Sequence, residues 1–180
     1  MAYEFDELTK DLKSTLMQGQ DEQQIETVRQ LLGKILRNAE FVDKTCGSQA
    51  ISGLHLMYED QELGFQVLAH INEKHRKSPP HDHGQSWAVY GQAIGYTDMT
   101  EYRRTDDGTN PDVAKVEETR RYRLNPGEVG VYSHGAIHAI DYPDKSRFIR
   151  ITGTNLDQIS RAAFDQETGR IKRMGPQQAS

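Results

Sequence analysis

The chain has one cysteine, Cys46, in 180 residues. A single thiol excludes an internal disulfide framework and any CxxC zinc or redox motif, and it reads as a reduced, cytosolic protein. A basic surplus is missing too: 22 Lys and Arg face 27 Asp and Glu, for a net charge of −5. With a pI near 5.8 the chain offers no electrostatic footprint for nucleic acid. No apolar run approaches the roughly 18 residues of a membrane span, so no membrane association is expected. The opening MAYEFDELTKDLK has neither a basic n-region nor an apolar core, so it reads as no signal peptide. Hydrophobic residues reach only 35%, which implies a small core, long solvated ends or burial against a partner. Trp87, eight Tyr and 15 Gly nevertheless argue for a folded body. The length fits one domain, or one domain with a helical extension.

Residues 1–45 read as helices packed on a second part, 46–180, that contains the barrel and a polar tail. Phe5, Leu8, Leu12 and Leu16 make one apolar stripe at three- and four-residue steps, and Gly19 ends it. Ile25, Val28, Leu31, Leu32, Ile35 and Leu36 make a second, stronger stripe. Both must be buried against something, and the rest of the chain is the expected partner. After Gly47 the period changes. Short segments rich in Val, Ile, Tyr, Phe and Thr predict strands at 53–59, 64–72, 80–83, 86–94, 96–104, 116–124, 129–132, 137–142 and 146–153. SPP, DDGTNPD, NPGE and YPDK punctuate them as turns. Many short strands with tight turns predict a mostly β sandwich or barrel. A short helix is expected near 155–165, followed by a loose tail.

What the chain has in excess is histidine: seven, five of them between His75 and His138. In SPPHDHGQSWAVYGQAIG, His81 and His83 stand two apart, so on a strand both point to one face. Two imidazoles on one face can share a metal ion. In NPGEVGVYSHGAIHAIDYP, His138 sits on a strand after two turns and could complete a set of three.

The two segments resemble the paired motifs of the cupin superfamily, a double-stranded β-helix or jelly-roll barrel. In the first motif, G-x5-H-x-H-x3-4-E-x6-G, this chain supplies His81, His83 and Gly95. In the second, G-x5-P-x-G-x2-H-x3-N, it supplies Gly127, Gly135 and His138, with Ser133 in the Pro slot and Tyr142 in the Asn slot. His75 takes the leading Gly position and Ala88 the place of the ligand Glu. Within cupins, three histidines without the glutamate resemble the thiol dioxygenases of the cysteine and 3-mercaptopropionate type. Tyr58, Asp60, Phe65 and Val67 match the lead-in of that family. Its Ser-x-His-x-Tyr relay is missing: the comparable strand offers Phe148, Arg150 and Thr152.

The resemblance implies a non-haem Fe(II)-dependent dioxygenase of a small anionic organic substrate. His81, His83 and His138 would hold the iron, substrate and O2 would bind side by side, and thiols are the first substrates to try. Imidazole also suits Zn, Ni and Cu, and Mn belongs among the alternatives, so the ligands alone do not choose the metal. Three neutral imidazoles leave the ion its full charge, which favours anionic, chelating substrates. Arg150, between Ile149 and Ile151, should face the barrel interior. There it requires either a protein carboxylate, such as Asp141 or Glu101, or a substrate anion held by its guanidinium fork. Tyr90 and Gln92 share a face with Ala88 and are expected to line the pocket, with Tyr90 placed to hydrogen-bond oxygen. His75 and His134 read as rim residues, His55 and His70 as surface or satisfied core histidines, Trp87 and Cys46 as core. Two other functions fit the same residues: O2-dependent C–C cleavage of a diketone or hydroxy-ketone, and a non-catalytic metal-binding or sensor cupin. An exposed barrel edge would allow a homodimer.

Overall fold

A computed structural model describes residues 2–176. Helices α1 (Phe5–Leu16), α2 (Glu22–Ile35) and α3 (Ala39–Cys46) come first. Each start is fixed by a side chain. Glu4 and Glu7 form a capping box for α1, Asp21 accepts from the Gln23 and Gln24 amides, and Asn38 accepts from Glu40 and Phe41. Sequence periodicity indicates two helices; α3 is the third. Its N-cap also donates from Nδ2 to the Tyr3 carbonyl at 3.0 Å, tying the chain start to the α2–α3 junction.

Nine strands follow: β1 (Gly53–Glu59), β2 (Gln66–Ile71), β3 (Arg76–Lys77), β4 (Ala88–Ile94), β5 (Thr97–Arg104), β6 (Val116–Leu124), β7 (Val129–Tyr132), β8 (Ile137–Tyr142) and β9 (Arg147–Thr152). They form two antiparallel sheets, ordered β1-β2-β9-β4-β7 and β3-β8-β5-β6. With the extra edge strand β1 set aside, this is the eight-strand order of a jelly roll, the expected fold class. Two differences from the expected elements bear on the site. The strand at 80–83 reduces to single bridges from His81 to His138 and to Ala163. The helix expected near 155–165 is only a 3-10 turn, Leu156–Gln158, and the tail then folds into a hairpin of β10 (Arg161–Phe164) and β11 (Ile171–Met174). Residues 177–180 of the expected loose tail lie outside the described residues.

Alternation divides the larger sheet between two cores. Val67, Ala69, Val89, Ile149 and Ile151 face the helices and pack with Leu8, Leu12, Ile25, Val28, Leu32 and Ile35. Ala88, Tyr90, Tyr132 and Phe148 face the barrel interior with Met99, Leu124 and Tyr142. The amphipathic stripes are therefore covered by this chain, each buried Leu or Ile contributing about 1.5–3 kcal/mol. Gly91 allows the close approach, since a Cβ there would stand 2.8 Å from two Leu32 side-chain atoms. Cys46 is buried and its thiol is pushed up to about 11 by burial. Trp87 is fully buried and donates to Gln20 Oε1 at 2.8 Å. Among the described residues no helix is long and apolar enough to cross a membrane.

Candidate metal centre

His81, His83 and His138 come together, with one ring nitrogen from each lying within 4.8 Å of the others. Among the described residues they are the one such group of three or more His, Cys, Asp or Glu side chains. Three elements build it. His138 lies on β8 and exchanges backbone hydrogen bonds with His81 at 2.8 and 2.9 Å. The β10 strand grips the His-Asp-His segment from its other side. Asp82 N–H donates to the Ala162 carbonyl, Phe164 N–H to the Pro80 carbonyl, and Asp82 Oδ1 accepts from the Ala162 amide at 2.8 Å. The same Oδ1 accepts from Gly84 N–H at 3.0 Å. Gly84 has φ +58°, and a Cβ there would collide with the Ser160 carbonyl oxygen. This turn swings His83 back toward the interior.

The environment keeps the imidazoles ready for a metal. Burial, more than any other cause, lowers the pKa of all three, and for His83 and His138 the shift is well below the usual value. Their mutual proximity and the charge of Arg150 push the same way at His83 and His138. A neutral ring is the ligand form. His81 Nδ1–H donates to the Pro79 carbonyl at 3.0 Å, leaving Nε2 to face the cluster. His138 is fully buried, and neither ring nitrogen has a hydrogen-bond partner among the described residues. An orphaned buried imidazole costs about 1–3 kcal/mol, a cost that a bound divalent ion would remove. The donor set therefore fits a transition metal. Nothing in it selects iron over zinc, nickel, manganese or copper.

The other expected site residues separate. The Tyr90 hydroxyl lies 3.2 Å from His83 Nε2, and its ring is buried beside His138. Arg150 faces the interior directly opposite Tyr90, as the alternation implied. Its Nε is buried without a partner, and among the described residues no carboxylate pairs with it. Asp141, one suggested partner, is bound to His75 instead. Gln92 faces inward, and its amide fastens strand ends: Nε2 donates to Ile94 O and Ser146 Oγ at 2.9 Å, and Oε1 accepts from Thr97 Oγ1 at 2.8 Å. Both N–H groups are spent on protein partners, leaving the carbonyl oxygen one acceptor position. His134 is exposed, as expected of a rim residue.

Two neighbours escaped the sequence reading. His70 stacks on Phe148, with centroids 4.4 Å apart, and its Nε2 is buried without a partner. Burial and then the charge of Arg150 hold His70 well below its usual pKa. Tyr132 packs its ring 3.9 Å from that of His138 and bonds Tyr122 hydroxyl to hydroxyl at 2.6 Å. It stands directly across from Ala88 on the same inner face. A groove of about 1010 Å³ elsewhere on the molecule lies between the four-stranded sheet and the β10–β11 hairpin, and none of the three histidines lines it.

No protein-family model and no curated protein matches the chain. Solved structures do match. KdgF from Halomonas sp. aligns at 14% identity and a TM-score of 0.42 over 55% of this chain and 76% of its own. The cupin domain of Schizosaccharomyces pombe Cnp3 aligns at 11% and 0.45 over 62% and 68%. A cupin superfamily protein from Desulfitobacterium hafniense DCB-2 aligns at 17% and 0.41 over 59% and 84%.

Proposed function

We propose that this chain is a cupin that binds one divalent metal through His81, His83 and His138 and works as a non-haem Fe(II)-dependent dioxygenase on a small anionic organic substrate. One observation carries the reading. Three neutral imidazoles, two of them buried and one half-buried, lie without a carboxylate beside Arg150, a cation with no counter-ion among the described residues. A divalent ion held there keeps its full positive charge, and the guanidinium adds to it, so the site selects anions. Iron(II) would supply the redox partner that lets O2 react with an organic molecule.

The chain's own residues do the rest. Arg150 holds the substrate anion through two parallel hydrogen bonds and sets its orientation. Tyr90 can hold or pass a proton at its phenolic oxygen, next to His83. Phe148, Met99 and Tyr132 wall the interior against water. Thiols are the first substrates to test because of the motif resemblance, although no relay of histidine and tyrosine stands on β9.

The test is metal analysis of anaerobically prepared protein, followed by O2 uptake with panels of thiols and diketones. One equivalent of iron and O2 uptake with an acidic thiol are expected. Cleavage of a diketone into two acids would shift the reading to C–C cleavage. Tight zinc with no O2 uptake across both panels would leave a non-catalytic metal-binding cupin.

A further inference from the structure

The inner face of the five-stranded sheet runs on past the histidines to an edge that no other described element pairs with. Register sets Leu56 opposite Leu68, Leu68 opposite Arg150, and Arg150 opposite Tyr90. Directly opposed residues of antiparallel neighbours share a face. These four therefore form one row across β1, β2, β9 and β4. Leu54, His70 and Phe148 begin the adjacent row. Strands lie about 4.8 Å apart, so the first row extends roughly 14 Å from Tyr90 to Leu56.

The chemistry changes along it. Tyr90 is buried beside His83, Arg150 is partly exposed with its Nε unpartnered, and Leu68 is buried. Leu56 and Leu54 are then 54% and 56% exposed. An open sheet face ordinarily carries polar side chains. Two bare leucines there, one strand beyond Leu68 from a cation that has no anion among the described residues, are the complement of an amphiphile.

We infer that the substrate is an amphiphilic acid, with its carboxylate on Arg150 and an alkyl or aryl tail lying over Leu68, Leu56 and Leu54. The tail has about two strand widths, roughly 10 Å, to occupy. Its carboxylate stands between the leucines and the histidines, so a group that reaches the cluster must branch from the carbon that bears the carboxylate. His70 Nε2, buried and free, offers a second hydrogen bond at the head. This deepens the reading of the cluster as an anion site and rests on it for where chemistry occurs. Binding itself needs no oxygen chemistry.

Calorimetric titration of the zinc-loaded full chain with butyrate, hexanoate and octanoate tests it. A fully buried methylene is worth about fourfold in affinity. On half-exposed leucines about two- to threefold per methylene is expected, so octanoate should bind roughly 16- to 80-fold tighter than butyrate. Both leucines are exposed, so the double variant Leu54→Ser, Leu56→Ser should fold, and it should bring that ratio below about fivefold. Arg150→Met should weaken all three acids by at least tenfold. Equal affinities for the three acids, or an undiminished ratio in the leucine double variant, would overturn the inference. So would a dimer that becomes monomeric in that variant while the ratio stays the same, because the face would then be a subunit interface. Chain-length dependence without O2 uptake by the iron-loaded protein would sink the oxygenase reading and leave this one standing. O2 uptake without chain-length dependence would do the reverse.

Discussion

His81 and His138 exchange both backbone hydrogen bonds of an antiparallel pair, at 2.8 and 2.9 Å, and their rings meet with centroids 4.6 Å apart. Two of the three candidate ligands are thus placed by the sheet itself. Only His83 depends on a turn, and Asp82 and Gly84 hold that turn in place. The cluster is therefore set before a metal arrives.

Replacing one ligand should empty the site without unfolding the barrel. For His138→Ala, metal content should fall below a tenth of wild type while the far-ultraviolet dichroism is unchanged. Unchanged metal content after either His81→Ala or His138→Ala would mean that these rings are packing residues.

Acid should destabilise the metal-free protein in a defined window. His70, His81, His83 and His138 all have folded pKa values lowered by burial. Below the ordinary value of about 6.5 the unfolded chain takes up protons that the folded one refuses, so stability falls as pH drops. Above that value the effect vanishes. Each histidine contributes a slope of at most about 1.4 kcal/mol per pH unit until its folded form also titrates. Urea titrations of apoprotein from pH 7.5 to 5 should show this slope, and saturating metal should carry it to lower pH, since a bound ion keeps the folded rings unprotonated. A flat profile would count against neutral buried rings.

Ala88 and Tyr132 should be energetically coupled. Ala88→Glu drives a long acid into a filled interior opposite Tyr132. It should cost about 1–3 kcal/mol from overpacking. In the Tyr132→Ala background the same change should cost less, and a double-mutant cycle of denaturation energies measures the difference. Additive effects would place the two side chains out of contact.

Much of this was legible in the residues, for identifiable reasons. The stripes Leu8–Leu12–Leu16 and Ile25–Val28–Leu32 repeat at helical steps, and β1, β6, β7 and β8 fall on the expected boundaries. Helix α3 escaped because eight residues show too little of a 3.6-residue period. The β10–β11 hairpin escaped because Arg161–Phe164 and Ile171–Met174 are four-residue strands in a polar tail. His70 looked like an isolated histidine on a strand. Only the register that sets it against Phe148, one row from Arg150, brings it to the site. Gln92 shows the opposite limit: its face follows from alternation, but its contacts with Ser146 and Thr97 are not visible in a local pattern.

The hairpin that escaped should matter for metal affinity. Asp82 Oδ1 joins the Ala162 amide of β10 to the turn at Gly84. Asp82→Ala leaves two amides to find new partners and should cost about 1–3 kcal/mol of stability. Because the turn orients His83, metal affinity should fall by about 10- to 100-fold, as for other residues that hold ligands in place. Competition with a chromogenic chelator reads this out. Wild-type affinity in Asp82→Ala would show that His83 is positioned without the hairpin.

Arg150 separates binding an anion from holding the metal. Its guanidinium is always charged and cannot serve as a proton donor or acceptor in turnover, so its contribution must be orientation and charge. Lysine keeps the charge but loses the planar fork, and a hydrogen bond to a charged group is worth about 1.5–3 kcal/mol. Arg150→Lys should therefore raise KM for an anionic substrate by about tenfold or more with the metal still bound. Arg150→Met should raise it further. It also removes one of the charges that hold His70, His83 and His138 down, so apoprotein stability should fall less steeply with acid than in wild type. A purely structural arginine would need a protein carboxylate, and none pairs with it among the described residues. If Arg150→Lys left KM unchanged and lowered only the melting temperature, Arg150 would be a packing residue and the substrate would not be an acid held there.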